Sequence, residues 1–295
     1  MSKTIFLTGG SGFIGHNIVE QLASRYHIYA PTHQELNLLD ENEVEKCLRN
    51  HPSDIIIHAA NIGGKKSEAE CTNIISSNIR IFLNFVRCKQ YFKRMIYFGS
   101  GAEFGKQASI HKAEEKDFGK RMPSDDFGLY KYTVASFIEE TKLPIYNLRL
   151  FGVYGKYEEY RFRFVSNIIC QALLDIPITI RHNAKFDYLY INDFVRILEH
   201  FINNKPKYST YNIGSGKPRD FLTMAKRILF VMNKPQKITV LDKESNFEYT
   251  CSIKRLNKEI PNFQYTNFDK TIRVLADWYV GRLPLIKRTE ILSLI

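Results

Sequence analysis

The sequence predicts an α/β protein: a doubly wound parallel sheet followed by a smaller mixed α/β lobe. Three observations carry this expectation. Short β-favouring runs alternate with helically spaced apolar residues from Thr4 to Leu150. Runs such as Ile55-Ile56-Ile57 are apolar throughout, as strands buried on both faces must be. A glycine-rich turn joins the first run to the first helix. Alternation of this kind, with right-handed crossovers, leaves few other topologies.

Thr4-Ile5-Phe6-Leu7 gives the first strand, and Thr8-Gly9-Gly10-Ser11-Gly12-Phe13-Ile14-Gly15 turns it into a helix over Phe13–Arg25. Gly9, Gly12 and Gly15 stand on a G-x-x-G-x-x-G spacing. One makes the turn, one lets a pyrophosphate approach the backbone, and one packs the helix on the strand. The helix N-terminus offers free N–H groups and a positive dipole end to the phosphates. This is a Rossmann-type dinucleotide site, which puts Ser11, Phe13 and Ile14 at the cofactor too.

The second strand, His27–Pro31, ends without the acidic residue that would accept from the ribose 2′-OH of NAD and repel the 2′-phosphate of NADP. Thr32 and His33 can instead donate to a phosphate, which favours NADP(H) over NAD(H), although no arginine is there to decide it. Asn37 and Leu38 are further cofactor positions, and Asp40 caps the helix Glu41–Asn50. Asp54–Ala60 is the third strand, whose small Ala59 and Ala60 let a cofactor lie over its carboxyl end. There Asn61-Ile62-Gly63-Gly64-Lys65-Lys66 forms a basic loop, at the end of an open parallel sheet where ligands bind. Lys65 and Lys66 fit a pyrophosphate contact or a solvated loop equally.

The alternation continues through a helix over Asn78–Tyr91, a strand over Arg94–Phe98 ending in Gly99-Ser100-Gly101, and a strand over Pro144–Leu150. Beyond Tyr154-Gly155 the rhythm changes. Lys156–Arg163 reads as a mobile loop, Phe164–Leu174 as a helix, and Ile178–Ile180 and Asp187–Ile191 as extended. Asn192-Asp193 is placed to cap a helix over Phe194–Asn203. Tyr211–Gly216 repeats the strand-to-turn pattern before a helix over Leu222–Met232. The remainder, with Pro261 and the single tryptophan Trp278, reads as a small mixed cap.

Composition narrows the function classes. At 295 residues the chain exceeds the usual single-domain size. Cys47, Cys71, Cys88, Cys170 and Cys251 show no C-x-x-C pair, and the histidines no metal spacing, so neither zinc, a disulfide framework nor another metal is expected. No apolar run approaches the roughly 20 residues a membrane helix needs. The first strand begins at once, so no signal peptide and a cytoplasmic site are expected. The net charge of +11 is dispersed, which argues against nucleic acid and suits polyanionic small molecules.

The glycine motif, His58-Ala59-Ala60, Tyr97-Phe98-Gly99-Ser100, Arg149–Gly155, Phe186–Asp193 and Tyr211–Gly216 together resemble the extended short-chain dehydrogenase/reductases that act on nucleotide sugars. The resemblance covers the chain to about residue 230. Thr32–Asp40 and the Asn61–Gly64 loop are most similar to GDP-fucose synthase-like and related NDP-4-keto-sugar reductases. It implies a dinucleotide-binding domain over 1–160, with segments near 185–215 returning to it, and a nucleotide-sugar-binding lobe over 161–295. It further implies Phe151 and Val153 at the cofactor, and Asn61, Gly101, Lys185 and Arg219 at the substrate. Arg181 and Arg149 are further candidates, and Arg149 also fits a structural ion pair. A homodimer packing the catalytic helix beside the Asn78 helix is implied as well.

The family's chemistry uses Ser or Thr, Tyr and Lys: the phenol moves a proton at the sugar oxygen, the serine orients that oxygen, and the lysine holds the nicotinamide ribose. Ser100 and Lys131 fit two of these roles. The Tyr-Gly-x-x-Lys pattern reads Phe127-Gly128-Leu129-Tyr130-Lys131, so Phe127 occupies the proton donor's place. Tyr130 is offset by about 100° on a helix from Lys131 and substitutes poorly. Losing a general acid costs about 10²–10⁴ in rate. An engineered substitution, a natural enzyme with another acid (a water or a loop residue) and a non-catalytic binding protein all fit a phenylalanine here. Gly101 and Ala102 replace the Asp-Glu pair of sugar 4,6-dehydratases. Ala102 and Phe164 replace the cysteine and histidine of 3,5-epimerisation. What remains is reduction of a 4-keto sugar nucleotide for surface-polysaccharide precursors, or 4-epimerisation with tightly held NAD.

Overall fold

The computed structural model describes residues 2–63, 73–242 and 246–292, so Gly64, Lys65, Lys66 and Cys71 lie outside the described residues. Six parallel strands form the main sheet, in the spatial order Thr210–Ile213, Ile145–Leu150, Phe92–Ser100, Ser53–His58, Thr4–Thr8, His27–Tyr29. Side chains along a strand alternate between faces, and the core divides accordingly. Ile5, Leu7, Ile55, Ile57, Ile96 and Phe98 pack with Ile18 and Leu198 from the helices Phe13–Leu22 and Ile191–Asn203. Phe6, Ile56, Met95 and Tyr97 pack on the other face with Val44, Phe82, Phe85 and Val134, from the helices Glu41–Asn50, Ile74–Arg87 and Asp126–Glu140. The doubly wound sheet is as expected.

Smaller sheets lie beside the carboxyl ends of these strands. Gly152–Tyr154 pairs in parallel with Tyr188–Tyr190. A four-stranded sheet runs Arg219–Asp220, Lys185–Phe186, Glu248–Cys251, Ile110–Ala113, and Ile178–His182 pairs with Ile238–Asp242. No helix among the described residues is long and apolar enough to cross a membrane.

Several boundaries differ from the sequence reading, each for a local reason. The first helix ends at Leu22, where Leu22 O accepts from Arg25 N and Tyr26 N and turns the chain into the next strand. Asn78 lies inside the helix Ile74–Arg87; its buried amide accepts from Ile62 N and donates to Ile62 O. Lys89–Tyr91 forms a separate 3₁₀ turn. Asp193 does not cap a helix that starts at Phe194. The helix starts at Ile191, and Asp193 is buried in its first turn, accepting from Thr266 N and Oγ1. The Lys156–Arg163 segment is pinned rather than loose: the Tyr157 ring meets His16 at 4.2 Å and Trp278 at 5.3 Å, and buried Glu158 accepts from Ser166 Oγ at 2.5 Å.

Behind the carboxyl end of Phe92–Ser100 lies a fully buried ion pair, Arg149 Nε to Glu103 Oε2 at 2.5 Å. Glu103 also accepts from Ser100 N at 2.8 Å and from Asn147 Nδ2 at 3.1 Å. The Arg149 guanidinium lies over the rings of Phe104 and Phe118 and donates to Asn212 Oδ1. Arg149 is therefore a structural ion-pair member. Removing one partner of a buried pair leaves the other charge uncompensated. Glu103→Ala is expected to lose about 3–5 kcal/mol in urea unfolding; an unchanged midpoint would contradict this role.

Candidate active site

The first strand ends in a turn built for close approach. Gly9 has φ +71°, and a Cβ there would stand 2.8 Å from Ala60 N. Gly15 faces the Gly9 carbonyl with no room for a side chain. Gly12 caps the helix Phe13–Leu22 with no side-chain hydrogen bond, and its own Cβ direction meets only Gly9 O, at 3.3 Å. The first-turn N–H groups are thus left without a side-chain cap, an arrangement that fits a phosphate. Ala59 N and Ala60 N both donate to Thr8 Oγ1 at 3.1 Å, which fixes the neighbouring strand end. Beneath them His58 is held neutral: burial first, then the Lys131 charge, lowers it to about 3.

At the end of the second strand the chain supplies a carboxylate after all. Glu35 folds back so that its Oε2 accepts from Thr32 N at 2.7 Å and Thr32 Oγ1 at 2.9 Å. Asn37 Oδ1 accepts from Leu39 N, and Leu38 O accepts from Asn84 Nδ2. Ser11 and His33 are exposed beside the same turns.

Over the carboxyl end of the main sheet lies a cavity of about 510 Å³. Of the residues expected at the site, Phe13, Ile14, Ala59, Asn61, Ser100, Phe127, Lys131, Phe151 and Val153 line it. Ser100 ends its strand; its Oγ accepts from Ala102 N at 3.1 Å. Asp125 caps the helix Asp126–Glu140 by accepting from Gly128 N, which sets Phe127 and Lys131 one turn apart on the face toward the cavity. Lys131 Nζ donates to Phe98 O at 2.6 Å and lies 4.6 Å from the Tyr97 ring centre. Burial, opposed by Glu103, lowers Lys131 to about 7. The Phe127 ring centre is 5.8 Å from Lys131 Nζ, with nothing on the ring to give a proton. Tyr130 is buried, so it does not stand in for the missing phenol.

A second cavity of about 720 Å³ shares Arg163, Phe186, Tyr188 and Phe247 with the first, so the two adjoin. Its walls carry Arg161, Arg163 and Arg181 beside an aromatic stack, Phe164 on Phe221 at 4.1 Å and Phe221 on Phe186 at 5.0 Å. Lys185 and Arg219 line neither cavity: Lys185 is paired along the strands with Asp220, and the Arg219 guanidinium lies over the Phe268 ring. Gly101 is buried beneath the first cavity, against Tyr249 and Phe151.

Lys106, Glu158, Tyr188 and Tyr249 also line the first cavity and escaped the sequence reading. Glu158 sat inside a segment that looked like solvated loop, and Tyr249 lay beyond the region of recognisable motifs. Neither carries a local signal.

A family model described as the NAD dependent epimerase/dehydratase family matches residues 5–214. The chain belongs to that family. A GDP-mannoheptose C4 reductase from Campylobacter jejuni, solved with NADP bound, superposes with a TM-score of 0.82 at 16% identity, covering 95% of this chain and 98% of that one. A UDP-glucose 4-epimerase from Thermotoga maritima, solved with UDP-glucose, gives 0.80 at 18% identity, covering 95% and 99%. At these identities the likeness establishes the Rossmann-like fold alone. Among curated proteins, GDP-L-colitose synthase from Yersinia pseudotuberculosis is 24% identical over 240 residues, 72% of this chain and 77% of the relative.

Burial raises the Glu158 carboxyl to about 7, against the stabilising Ser166 hydrogen bond. A raised carboxyl binds its proton more tightly when folded, so the group costs stability as pH climbs from about 4.5 to about 7, and the whole cost is present above that. Glu158→Gln is expected to be more stable than the unsubstituted protein at pH 8, by at most about 3 kcal/mol, and to converge with it at pH 4. Equal stability at both pH values would contradict the buried assignment.

Proposed function

We propose that this chain is an NAD(P)H-dependent nucleotide-sugar reductase that converts a 4-keto sugar to the 4-hydroxy sugar. The observation that carries this reading is a cavity with Ser100 and Lys131 that adjoins, across Arg163, Phe186, Tyr188 and Phe247, a chamber of stacked aromatic rings and three arginines. One end suits a nicotinamide and a sugar carbonyl. The other suits a flat base and a diphosphate, which arginine meets with fixed donor geometry. Arg163, common to both cavities, and Arg181 take the anion-binding role in this proposal, and Asn61 and Lys106 border the sugar.

A bound reduced nicotinamide dinucleotide supplies the hydride. Gly9, Gly12 and Gly15 shape the turn for its pyrophosphate, and Lys131 holds its nicotinamide ribose. Ser100 donates to the sugar oxygen, and the walls contributed by Phe127, Phe151 and Tyr188 exclude water. NADPH is the donor in this reading on the strength of His33, exposed at the turn and at hand for a 2′-phosphate; Glu35, with both Thr32 donors on its carboxylate, favours a ribose 2′-OH instead, so the test runs both donors. A homodimer through the helices Ile74–Arg87 and Asp126–Glu140 belongs to the same proposal.

The test compares the protein with Phe127→Tyr, each mixed with NADPH or NADH and a panel of nucleotide 4-keto-6-deoxy sugars. Loss of reduced-nicotinamide absorbance is expected, faster with NADPH, and faster in Phe127→Tyr because a phenol is restored beside Lys131. The gain is at most the 10²–10⁴ typical of a general acid. Cofactor binding without oxidation in either protein would overturn the reductase and favour the 4-epimerase, whose NAD is regenerated in each turnover.

A further inference from the structure

Reduction of a carbonyl leaves one requirement unmet: the oxygen must take up a proton, and Phe127 has none to give. Two ammonium groups stand near the Phe127 ring, Lys106 Nζ at 5.6 Å from its centre and Lys131 Nζ at 5.8 Å. They are held differently. Lys106 is exposed and reaches Asp125 Oδ1 at 3.2 Å. Lys131 is 5% exposed and is in no ion pair among the described residues.

An ammonium has three donors. One N–H of Lys131 goes to Phe98 O at 2.6 Å. The rings of Tyr97 and Tyr130 stand at 4.6 and 5.1 Å from Nζ; like the Phe127 ring, they attract the charge and take no proton. Two N–H groups are therefore without an acceptor among the described residues, on a side chain that lines the cavity with Ser100 and Phe127. In the reading above the ribose takes one of them, which leaves one for the sugar oxygen. A cation buried without a counter-ion also gives up its proton more readily: desolvation, opposed by Glu103, brings Lys131 to about 7. The groups packed around it preserve that state. His58 is neutral, burial holds the Tyr97 and Tyr130 phenols well above their usual range, and Glu103 is engaged by Ser100, Asn147 and Arg149.

We propose that Lys131, besides holding the ribose, is itself the proton donor of the reduction, its Nζ giving a proton directly to the sugar oxygen. This rests on the reductase reading above. As the carbonyl carbon gains a hydride, the C=O π pair moves onto oxygen and takes a proton from Nζ, and the N–H bonding pair stays on nitrogen. The ammonium becomes a neutral amine, which water in the cavity reprotonates before the next turnover. The reduced dinucleotide is the only reductant. Glu158 lines the same cavity and also keeps a proton near neutrality; its carboxyl is bonded to Ser166 in the helix Phe164–Leu173, not to the Ser100 strand, and the test includes it as the rival donor.

NADPH oxidation in single turnovers with the nucleotide 4-keto-6-deoxy sugars is measured in the unsubstituted chain, Lys131→Arg, Phe127→Tyr, the double variant and Glu158→Gln. Arginine keeps the charge and the donors for the ribose but does not release its proton. Lys131→Arg is expected to slow the unsubstituted chain by about 10²–10⁴. In Phe127→Tyr, where a phenol supplies the proton, the same change is expected to cost less than about tenfold. NADPH binding, read by fluorescence, is retained in Lys131→Arg. The unsubstituted chain is also expected to lose rate as pH rises from about 6 to about 9, because the acid form is consumed, and this limb moves to higher pH in Phe127→Tyr. The limb needs no substitution at Lys131, so it decides the matter even where Lys131→Arg does not fold. An equal cost of Lys131→Arg in both backgrounds would show a lysine that only holds the ribose, and would overturn the proposal. So would a rate in the unsubstituted chain that does not fall with pH, or a loss found in Glu158→Gln and not in Lys131→Arg. Silence from the unsubstituted chain alongside an active Phe127→Tyr would overturn Lys131 as donor and leave the reductase standing. Silence from both would overturn both.

Discussion

Glu103 is a carboxylate with no access to water, and the main sheet is arranged so that it is never without partners. Ser100 N, Asn147 Nδ2 and Arg149 Nε all donate to it, and Arg149 carries the network on to Asn212. Two adjacent strands therefore converge on one charge, and Arg149 ties in a third. A buried pair of this kind adds little net stability against an apolar alternative, but it is intolerant of the loss of either member. Its consequence here is positional. With its N–H on Glu103 and its Oγ accepting from Ala102 N, Ser100 is held at the sheet's carboxyl end.

The rest of the cleft is assembled around that serine from segments far apart in the chain. The helix Asp126–Glu140 brings Lys131 under the strand end, where burial lowers it to about 7. The segment after Gly155 brings Glu158, also close to 7, to the opposite wall. The strand Glu248–Cys251 brings Tyr249. Groups displaced toward neutral pH by burial are common where chemistry is done, though ion-pair networks displace them as well. The adjoining chamber differs in character, with stacked rings and arginines on its walls.

What could be read from the sequence was what local physics determines. The glycine turn, the apolar strands and the cap at Asp40 each follow from a few adjacent residues, and all appear in the structure. Ser100 and Lys131 were placed by motif, and they meet at the cavity. The helix start at Ile191 was missed because Asn192-Asp193 looked placed to cap a helix further along, whereas Asp193 bonds Thr266; the start at Ile74 was missed because the apolar spacing was read only from Asn78, whose amide bonds Ile62. Glu35 was passed over because its carboxylate returns to Thr32 through a turn, not through the strand. Lys185 and Arg219 looked like nucleotide contacts by position alone; neither lines the two cavities, and the Arg219 guanidinium lies over the Phe268 ring. Tyr249 depends on a contact spanning more than a hundred residues, with Gly101 as its only local trace.

The central claim is hydride delivery to a sugar carbonyl in this cleft. It is tested most directly by following a label: NADPH deuterated at the nicotinamide C4 is mixed with the protein and a nucleotide 4-keto-6-deoxy sugar, and the product is read by NMR. The account predicts one deuterium bound at sugar C4, in a single configuration. Product without deuterium at C4, or sugar returned unreduced while the cofactor stays bound, would contradict it.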